Sequence, residues 1–548
     1  MLKNLIKKLL GRKHPSLPNI DLIKNFKIEN TKKPIKNILI ATSSGGLFSS
    51  LVFESLLGNA LKFKNCNVEF LICDSLLPAC IMATEFNIDE KSFLKKGPKK
   101  ICSSCYYESN RFLKESNFKI NKLSDFFDEN DQKYQELIKQ IDNINLENVK
   151  DFKINDIPLG VHAHSGALRY YARTDLDYKK NANETLKKFL IAALKTQLST
   201  EKLFSKKSFD TVILNHGIYV PQGVIHEVSK KNNINTVNYC LGTRKKTFCF
   251  CKDETYHKAL IYEDNQNWEK IELNKKAEEK LNSYLKSRLH GNQDWIYFHN
   301  KPNFDLKSCF KKYNIDINKP LIGLATNVIW DAQIDFPSNF FKNILNWLFY
   351  TIDFFVKNEN LQLLIRVHPA EVNSTKPAKQ RVLDEIKKHY KSLPNNIKII
   401  PPEDNVSTYT VMEACDSILI YGSRLGVELS AMNIPVIVCG EGFIRNKGIG
   451  IDINSFEDYD KILKKLPLNQ KLSLEKLERA KKYAYHFFFR RMIEINSIDE
   501  KPDKWPNIDI KKDFYVALQN KTDIGLEVIT KNIIEEKDFI LEDKKTNL

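Results

Sequence analysis

Short apolar runs, each closed by a polar turn, alternate along this chain with longer stretches of helical period. Asn37-Ile38-Leu39-Ile40-Ala41-Thr42 is such a run and predicts a buried strand, with Ser43-Ser44-Gly45-Gly46 as the loop into a helix. Further strands are predicted at Val68–Ile72, Thr211–Leu214 and Asn235–Tyr239. Residues 110–200 are predicted largely helical, most clearly where Leu186, Phe189, Leu190, Ala193 and Leu194 recur at helical spacing.

A polar stretch around Asn300 to Lys319 interrupts the pattern, and Pro320-Leu321-Ile322-Gly323-Leu324-Ala325-Thr326 opens a second series. An aromatic helix is predicted from about Asn339 to Val356, with strands near 361–367, 396–400, 416–421 and 434–439. Strand and helix in turn imply parallel, doubly wound sheets. The expected organisation is a basic lead (1–34), an N-terminal domain (35–300), a linker (301–318), a C-terminal domain (319–472) and C-terminal helices and tail returning to the first domain (473–548). The fold class is therefore α/β, with two Rossmann-like domains facing across a cleft.

Composition narrows the functional classes. At 548 residues the chain is too long for one core, and 42% hydrophobic content argues against global disorder. The net charge of +17 comes from lysines scattered among Asn and Ile, without an arginine-rich helix, zinc-finger spacing or an RNA-binding aromatic signature, so no nucleic-acid partner is expected. No apolar run reaches the roughly 18–20 residues that span a bilayer. Lysines interrupt the start of the chain, which is not expected to be a signal peptide. It predicts either a short amphipathic helix lying on anionic lipid, with Leu2, Leu5, Ile6, Leu9 and Leu10 on one face, or a frayed terminus. Eleven cysteines without an export signal predict free thiols in a reducing cytoplasm, at the inner face of the membrane if that helix binds lipid.

In an open α/β sheet, ligands bind at the carboxyl ends of the strands. Arg366-Val367-His368-Pro369-Ala370-Glu371 and Tyr421-Gly422-Ser423-Arg424-Leu425-Gly426-Val427-Glu428 each follow a predicted strand, and Thr326-Asn327 forms a third polar turn. Ser423, Arg424 and Gly426 start a helix, where backbone N–H groups and a cation suit a phosphate. Glu428 is an acceptor for ribose hydroxyls, and His368 a donor to phosphate. Neither G-x-G-x-x-G nor a P-loop is present, which disfavours hydride transfer and ATP hydrolysis.

These residues, together with Trp330-Asp331, Pro435-Val436-Ile437-Val438 and Lys447-Gly448, resemble the capsular and surface polysaccharide biosynthesis proteins of the GT-B glycosyltransferase type. His216-Gly217-Ile218-Tyr219-Val220-Pro221-Gln222-Gly223, Arg244 to Phe248, Thr255-Tyr256-His257 and Ala484 to Arg490 are similar to the same group. The resemblance implies sugar transfer from a nucleotide-activated donor, CMP- or UDP-linked, to a surface glycan or lipid-linked acceptor, with no cofactor required. It also brings Asn327, Arg366 and Lys447 to the donor side, and Arg244 and His257 to the acceptor side. The His-Pro pair is similar to that of bacterial sialyltransferases, Kdo transferases and polyglycerol phosphate transferases, where the histidine lies near the donor phosphate. Sialyltransferases carry paired hydroxyl residues where this chain has Gly422-Ser423-Arg424, which leaves the donor open. A UDP-sugar 2-epimerase, sharing the architecture, and a non-catalytic glycan-binding or assembly protein remain alternative readings.

In the first domain, Gly45 and Gly46 either admit a phosphate or sugar close to the backbone or make a plain tight turn. His162, His164, His216 and His257 are candidate bases, with His216 preferred because it follows the Thr211–Leu214 strand. Cys73, Cys80, Cys102 and Cys105 include one C-x-x-C and are either a structural zinc site or four free thiols. Cys249 and Cys251 would share one face of a strand without forming a metal site.

Overall fold

The computed structural model describes residues 33–177, 179–298, 301–332, 339–374, 376–501 and 507–542; the lipid-binding helix expected at the start of the chain lies outside them. The chain divides into two compact units. Unit 1 comprises residues 1–171, 176–256 and 492–548, and unit 2 comprises 172–175 and 257–491.

Unit 1 is built on a seven-stranded sheet of β1 (Asn37–Ser43), β2 (Asn67–Ile72), β3 (Lys119–Lys122), β4 (Thr211–Asn215), β5 (Asn235–Leu241), β6 (Thr247–Lys252) and β13 (Met492–Glu494), in the order β13-β6-β5-β4-β1-β2-β3. The five strands β3-β2-β1-β4-β5 run parallel in doubly wound order, and β6 and β13 close the edge antiparallel. Strand β1 is buried from Ile38 to Ser43, as its unbroken apolar run demands of a strand covered on both faces. The pattern missed β3, whose two lysines suit a sheet edge rather than an interior. Cys249 and Cys251 alternate along β6 as expected, and both are buried.

Unit 2 carries an all-parallel sheet of β7 (Leu321–Ala325), β8 (Gln362–Arg366), β9 (Ile397–Ile400), β10 (Ser417–Ile420), β11 (Val436–Val438) and β12 (Ile451–Asp452). Its order, β12-β11-β10-β7-β8-β9, is that of a full dinucleotide-type sheet. The aromatic helix begins at Ile344, where the Asn343 side chain accepts from the backbone N–H groups of Leu345 and Asn346. It buries Trp347, Leu348, Ile352 and Phe355 in the core of this unit.

The boundary between the units falls at Tyr256 and His257 rather than in the polar stretch 301–318, and the chain leaves unit 2 at Arg491 rather than near residue 473. Aromatic packing accounts for both differences. Trp268 meets Tyr483 with ring centroids 4.9 Å apart, and Tyr284 meets Phe488 at the same separation, so 257–290 and 474–491 pack as one layer. Buried Glu263 pins that layer, contacting His486 Nε2 at 3.1 Å and Arg491 Nε at 3.3 Å. Among the described residues no helix is long and apolar enough to cross a membrane.

Candidate functional site

In unit 2 the strand order places β10 beside β7, and β7 beside β8, so the winding direction reverses between β7 and β10. The three polar turns found in the sequence leave the carboxyl ends of these neighbouring strands. The first two are also linked to one another. Thr326 N–H donates to the Arg366 carbonyl at 3.2 Å, and Thr326 Oγ1 accepts from His368 N–H at 2.9 Å. The N–H of Ala370 donates to His368 Nδ1 at 3.0 Å. A backbone N–H can only donate, so the ring proton resides on Nε2, and the half-buried imidazole presents a donor in its neutral form. Phe298 holds the ring edge-on with centroids 5.6 Å apart. Across the switch point, Ser423 Oγ accepts from Leu425 N–H at 3.1 Å, and Arg424 is exposed. The helix that follows, Leu425–Ala431, has only seven residues, so Arg424 and the loop carry more of any anion's charge than the helix dipole does. Asn327 is half-buried on the same turn as Thr326.

Three residues expected to hold the donor are engaged inside the unit instead. Arg366 is 1% exposed and donates to the carbonyls of Pro401 (2.6 Å), Asp404 (3.0 Å) and Val406 (3.4 Å), tying down the loop after β9. The planar guanidinium fork suits three carbonyls presented together. Glu428 is likewise 1% exposed. It accepts from Tyr409 Oη at 2.6 Å and pairs with Arg288 Nη2 at 3.0 Å, so its carboxylate is already compensated. Lys447 donates to the backbone carbonyls of Ile261 and Glu263, and burial pulls its ammonium down to about 8 against the attraction of Glu263. Glu371 accepts from Val382 N–H at 3.0 Å and thereby anchors the helix Val382–His389.

Unit 1 has its own switch point, between β1 and β4. His216 lies there, just past β4, with φ +71°; its N–H donates to the Tyr239 carbonyl at 2.9 Å, and its ring lies 5.5 Å from that of Tyr219. Of the candidate bases it alone has this placement. His162 is buried with Nδ1 2.6 Å from the Ile218 carbonyl, a packing role. His164 is half-buried on the helix Leu159–Tyr171. His257 belongs to unit 2 and stacks on Phe443 there. Arg244 is tied to the edge strand, 3.2 Å from Glu494 and 3.4 Å from the Met492 carbonyl. The glycines of the β1 turn answer to packing rather than to an open approach: a Cβ on Gly45 would stand 2.2 Å from Ser109 Oγ, and one on Gly46 2.7 Å from Met82 Cε.

Beneath this switch point lies a group the motifs did not single out. Glu54, fully buried on the helix Phe48–Phe63, accepts from Thr42 Oγ1 and, at 2.8 Å, from Tyr239 Oη. Thr42 Oγ1 in turn accepts from Asn215 N–H at 2.9 Å, so the network joins β1, β4 and β5 next to His216. Burial pushes the Glu54 carboxyl up to about 7, although both hydrogen bonds oppose it. The folded state therefore holds this proton more tightly than the unfolded chain. Stability from this group is full below the unfolded value near 4.5 and is lost as pH rises through about 7. We expect Glu54→Gln to gain on the parent between pH 5 and pH 8 by up to about 3 kcal/mol, at about 1.4 kcal/mol per unit. Thermal melts that keep the same separation at both pH values would refute this.

Cys73, Cys80, Cys102 and Cys105, from three segments of the chain, line a single pocket at the carboxyl ends of β1 and β2, together with Ser43, Ser44, Ser75 and Met82. Burial raises all four thiols, and Cys73 adds to the rise at Cys80, Cys102 and Cys105. All are free thiols. Among the described residues no group of three or more His, Cys, Asp or Glu is arranged to hold a single metal ion.

No family model and no curated protein matches the chain. Among solved structures it is similar to the KpsC beta Kdo 2,4 transferase of Thermosulfurimonas dismutans, at 14% identity over 57% of this chain and 87% of that one, with a TM-score of 0.36. It is similar also to sucrose-phosphate synthase of Thermosynechococcus elongatus (12% identity, 83% and 95% covered, TM-score 0.33). A third is UDP-GlcNAc 2-epimerase of Neisseria meningitidis (11% identity, 82% and 97% covered, TM-score 0.24). Likeness at this level does not extend to reaction or substrate. The doubly wound reading of each unit rests on its own strand order.

Glu54 had a signal in the sequence, the only acid in a helix dominated by Phe and Leu. Arg288 had none, since it ends a lysine-rich helix, Lys275–Arg288, and its partner Glu428 is remote in sequence.

Proposed function

We propose that the chain is a glycosyltransferase of the GT-B type, moving a sugar from a nucleotide-activated donor to a surface glycan or a lipid-linked acceptor. The observation that carries this reading is the set of three polar turns at the unit 2 switch point, two of them hydrogen-bonded to each other, where the neutral imidazole of His368, the hydroxyls of Thr326 and Ser423, and exposed Arg424 occupy the ends of three adjacent strands. This is where an α/β sheet receives a nucleotide.

The chemistry follows from the donor set. When the glycosidic bond breaks, negative charge grows on the departing phosphate. An Nε2–H already oriented by the Ala370 amide strengthens its hydrogen bond to that oxygen as the charge grows, at no cost in reorganisation. Arg424 adds a cation at the loop. His216, at the switch point of unit 1, is the proposed base for the acceptor hydroxyl.

Product analysis with a panel of CMP- and UDP-linked sugars, with and without glycan acceptors, tests the reading. A transferase releases nucleotide and extends the acceptor only when both substrates are present. An isomerised donor formed without acceptor would replace this reading with an epimerase, and binding without turnover would replace it with a non-catalytic role.

A further inference from the structure

We infer that the four-cysteine pocket of unit 1 takes an iron–sulfur cluster, a role independent of the donor-site reading. Three separate segments deliver the sulfurs: Cys73 from the end of β2, Cys80 from the start of the helix Ile81–Glu85, and Cys102 with Cys105 from successive turns of the helix Lys99–Glu115. Positions three apart on a helix share a face, so Cys102 and Cys105 reach the pocket together.

Hydrogen-bond donors are aimed at the sulfurs. Gly46 N–H donates to Cys105 Sγ at 3.0 Å. The amides of Ser75, Leu76 and Leu77 face Cys73, the Met82 amide faces Cys80, and the Ser75 hydroxyl faces Cys102. Ser75 has φ +80°, an uncommon conformation for a residue with a side chain, and this turn wraps the three amides round one sulfur. A neutral thiol is a weak acceptor, whereas a metal-bound thiolate uses such donors to tune and orient the centre. The arrangement suits four thiolates, and four thiolates in a buried pocket need a cationic centre among them.

The size of that centre can be argued from the same geometry. A tetrahedral ion with sulfurs at about 2.3 Å draws them to within about 3.8 Å of one another. The described residues offer no cluster ready for a single ion, yet all four sulfurs line one concavity. In a four-iron cluster each cysteine binds a different iron, so the ligand sulfurs stand further apart round a larger body. Cys73, Cys102 and Cys105 retain partial exposure, which leaves an entry path for a preassembled cluster. On insertion four iron–cysteine bonds form as the four bonds from the cluster's iron ions to its carrier's thiolates break, and the four S–H protons pass to those thiolates or to solvent, with no change in oxidation state.

The full chain, purified without oxygen and then reconstituted with ferrous and ferric iron in equal amounts and sulfide, should hold about four iron and four sulfide per molecule. It should also show a broad visible band that dithionite bleaches. Cys105→Ser, and Cys102→Ser with Cys105→Ser, should lose iron, sulfide and the band together. Cys66→Ser, a buried thiol at the opposite end of β2, should keep all three. One zinc per chain with no iron uptake, no metal uptake at all, or iron uptake indifferent to the Cys105 substitution would each overturn the inference.

Discussion

His368→Ala is expected to lower turnover of the nucleotide sugar by about a hundredfold or more, the usual cost of removing one oriented donor to a developing anion, while leaving the fold intact. The ring is half-buried and its bond to Ala370 N–H closes a local turn, so its loss leaves no large cavity. Because the donor acts mainly as charge builds on the leaving group, kcat should fall more than KM rises. Arg424→Ala should behave differently. An exposed cation at the loop attracts the phosphate in ground state and transition state alike, so donor KM should rise with a smaller change in kcat. If both variants show native circular dichroism and melting, and bind and turn over the donor like the parent, the switch point of unit 2 is not the donor site.

The central parallel strands of both sheets were legible because they are buried on both faces and appear as largely apolar runs, as in Leu321–Ala325 and Ser417–Ile420, whereas β3, β6, β12 and β13 toward the sheet edges were not. The turns after them were legible for the same reason, since polar residues stand out against such runs. What a given polar side chain does within a turn was less so. Arg366 and His368 are two positions apart and look equally functional, yet the first points into the unit towards Pro401, Asp404 and Val406, while the second lies at the strand's exit. Alternation along an extended chain puts neighbours on opposite sides, but two residues across a strand end do not obey it reliably. The unit boundary was also hidden. Residues 257–300 read on from the first domain without a break in pattern, and only Trp268 and Tyr284, each packed against an aromatic from 474–491, reveal that they belong to the core of unit 2. Convergence of four cysteines from three segments could be suspected from the one C-x-x-C but not placed, because the pocket is made by the turn after β1, the loop after β2 and the helix Lys99–Glu115 together.

Arg288→Met should be the more damaging substitution, destabilising unit 2 by about 3–5 kcal/mol. The Arg288 guanidinium is buried between two carboxylates, Glu428 at 3.0 Å and Asp294 in direct contact, and Tyr284 Oη bonds Asp294 at 2.9 Å while Tyr409 Oη bonds Glu428 at 2.6 Å. Methionine fills much of the volume but leaves two acids buried without their cation, and an uncompensated charge costs more than the pair contributed. Adding Glu428→Gln and Asp294→Asn to Arg288→Met should therefore recover a large part of the loss, measured as the shift in urea midpoint. Unchanged midpoints in the single variant would mean that the pair is not formed in solution. The same series decides what Glu428 does. As a member of this network it should affect donor binding only in proportion to lost stability. If Glu428→Gln instead keeps the parent's midpoint and loses donor affinity, its carboxylate leaves Arg288 to hold the nucleotide, and the assignment of Glu428 to the interior of the unit is wrong.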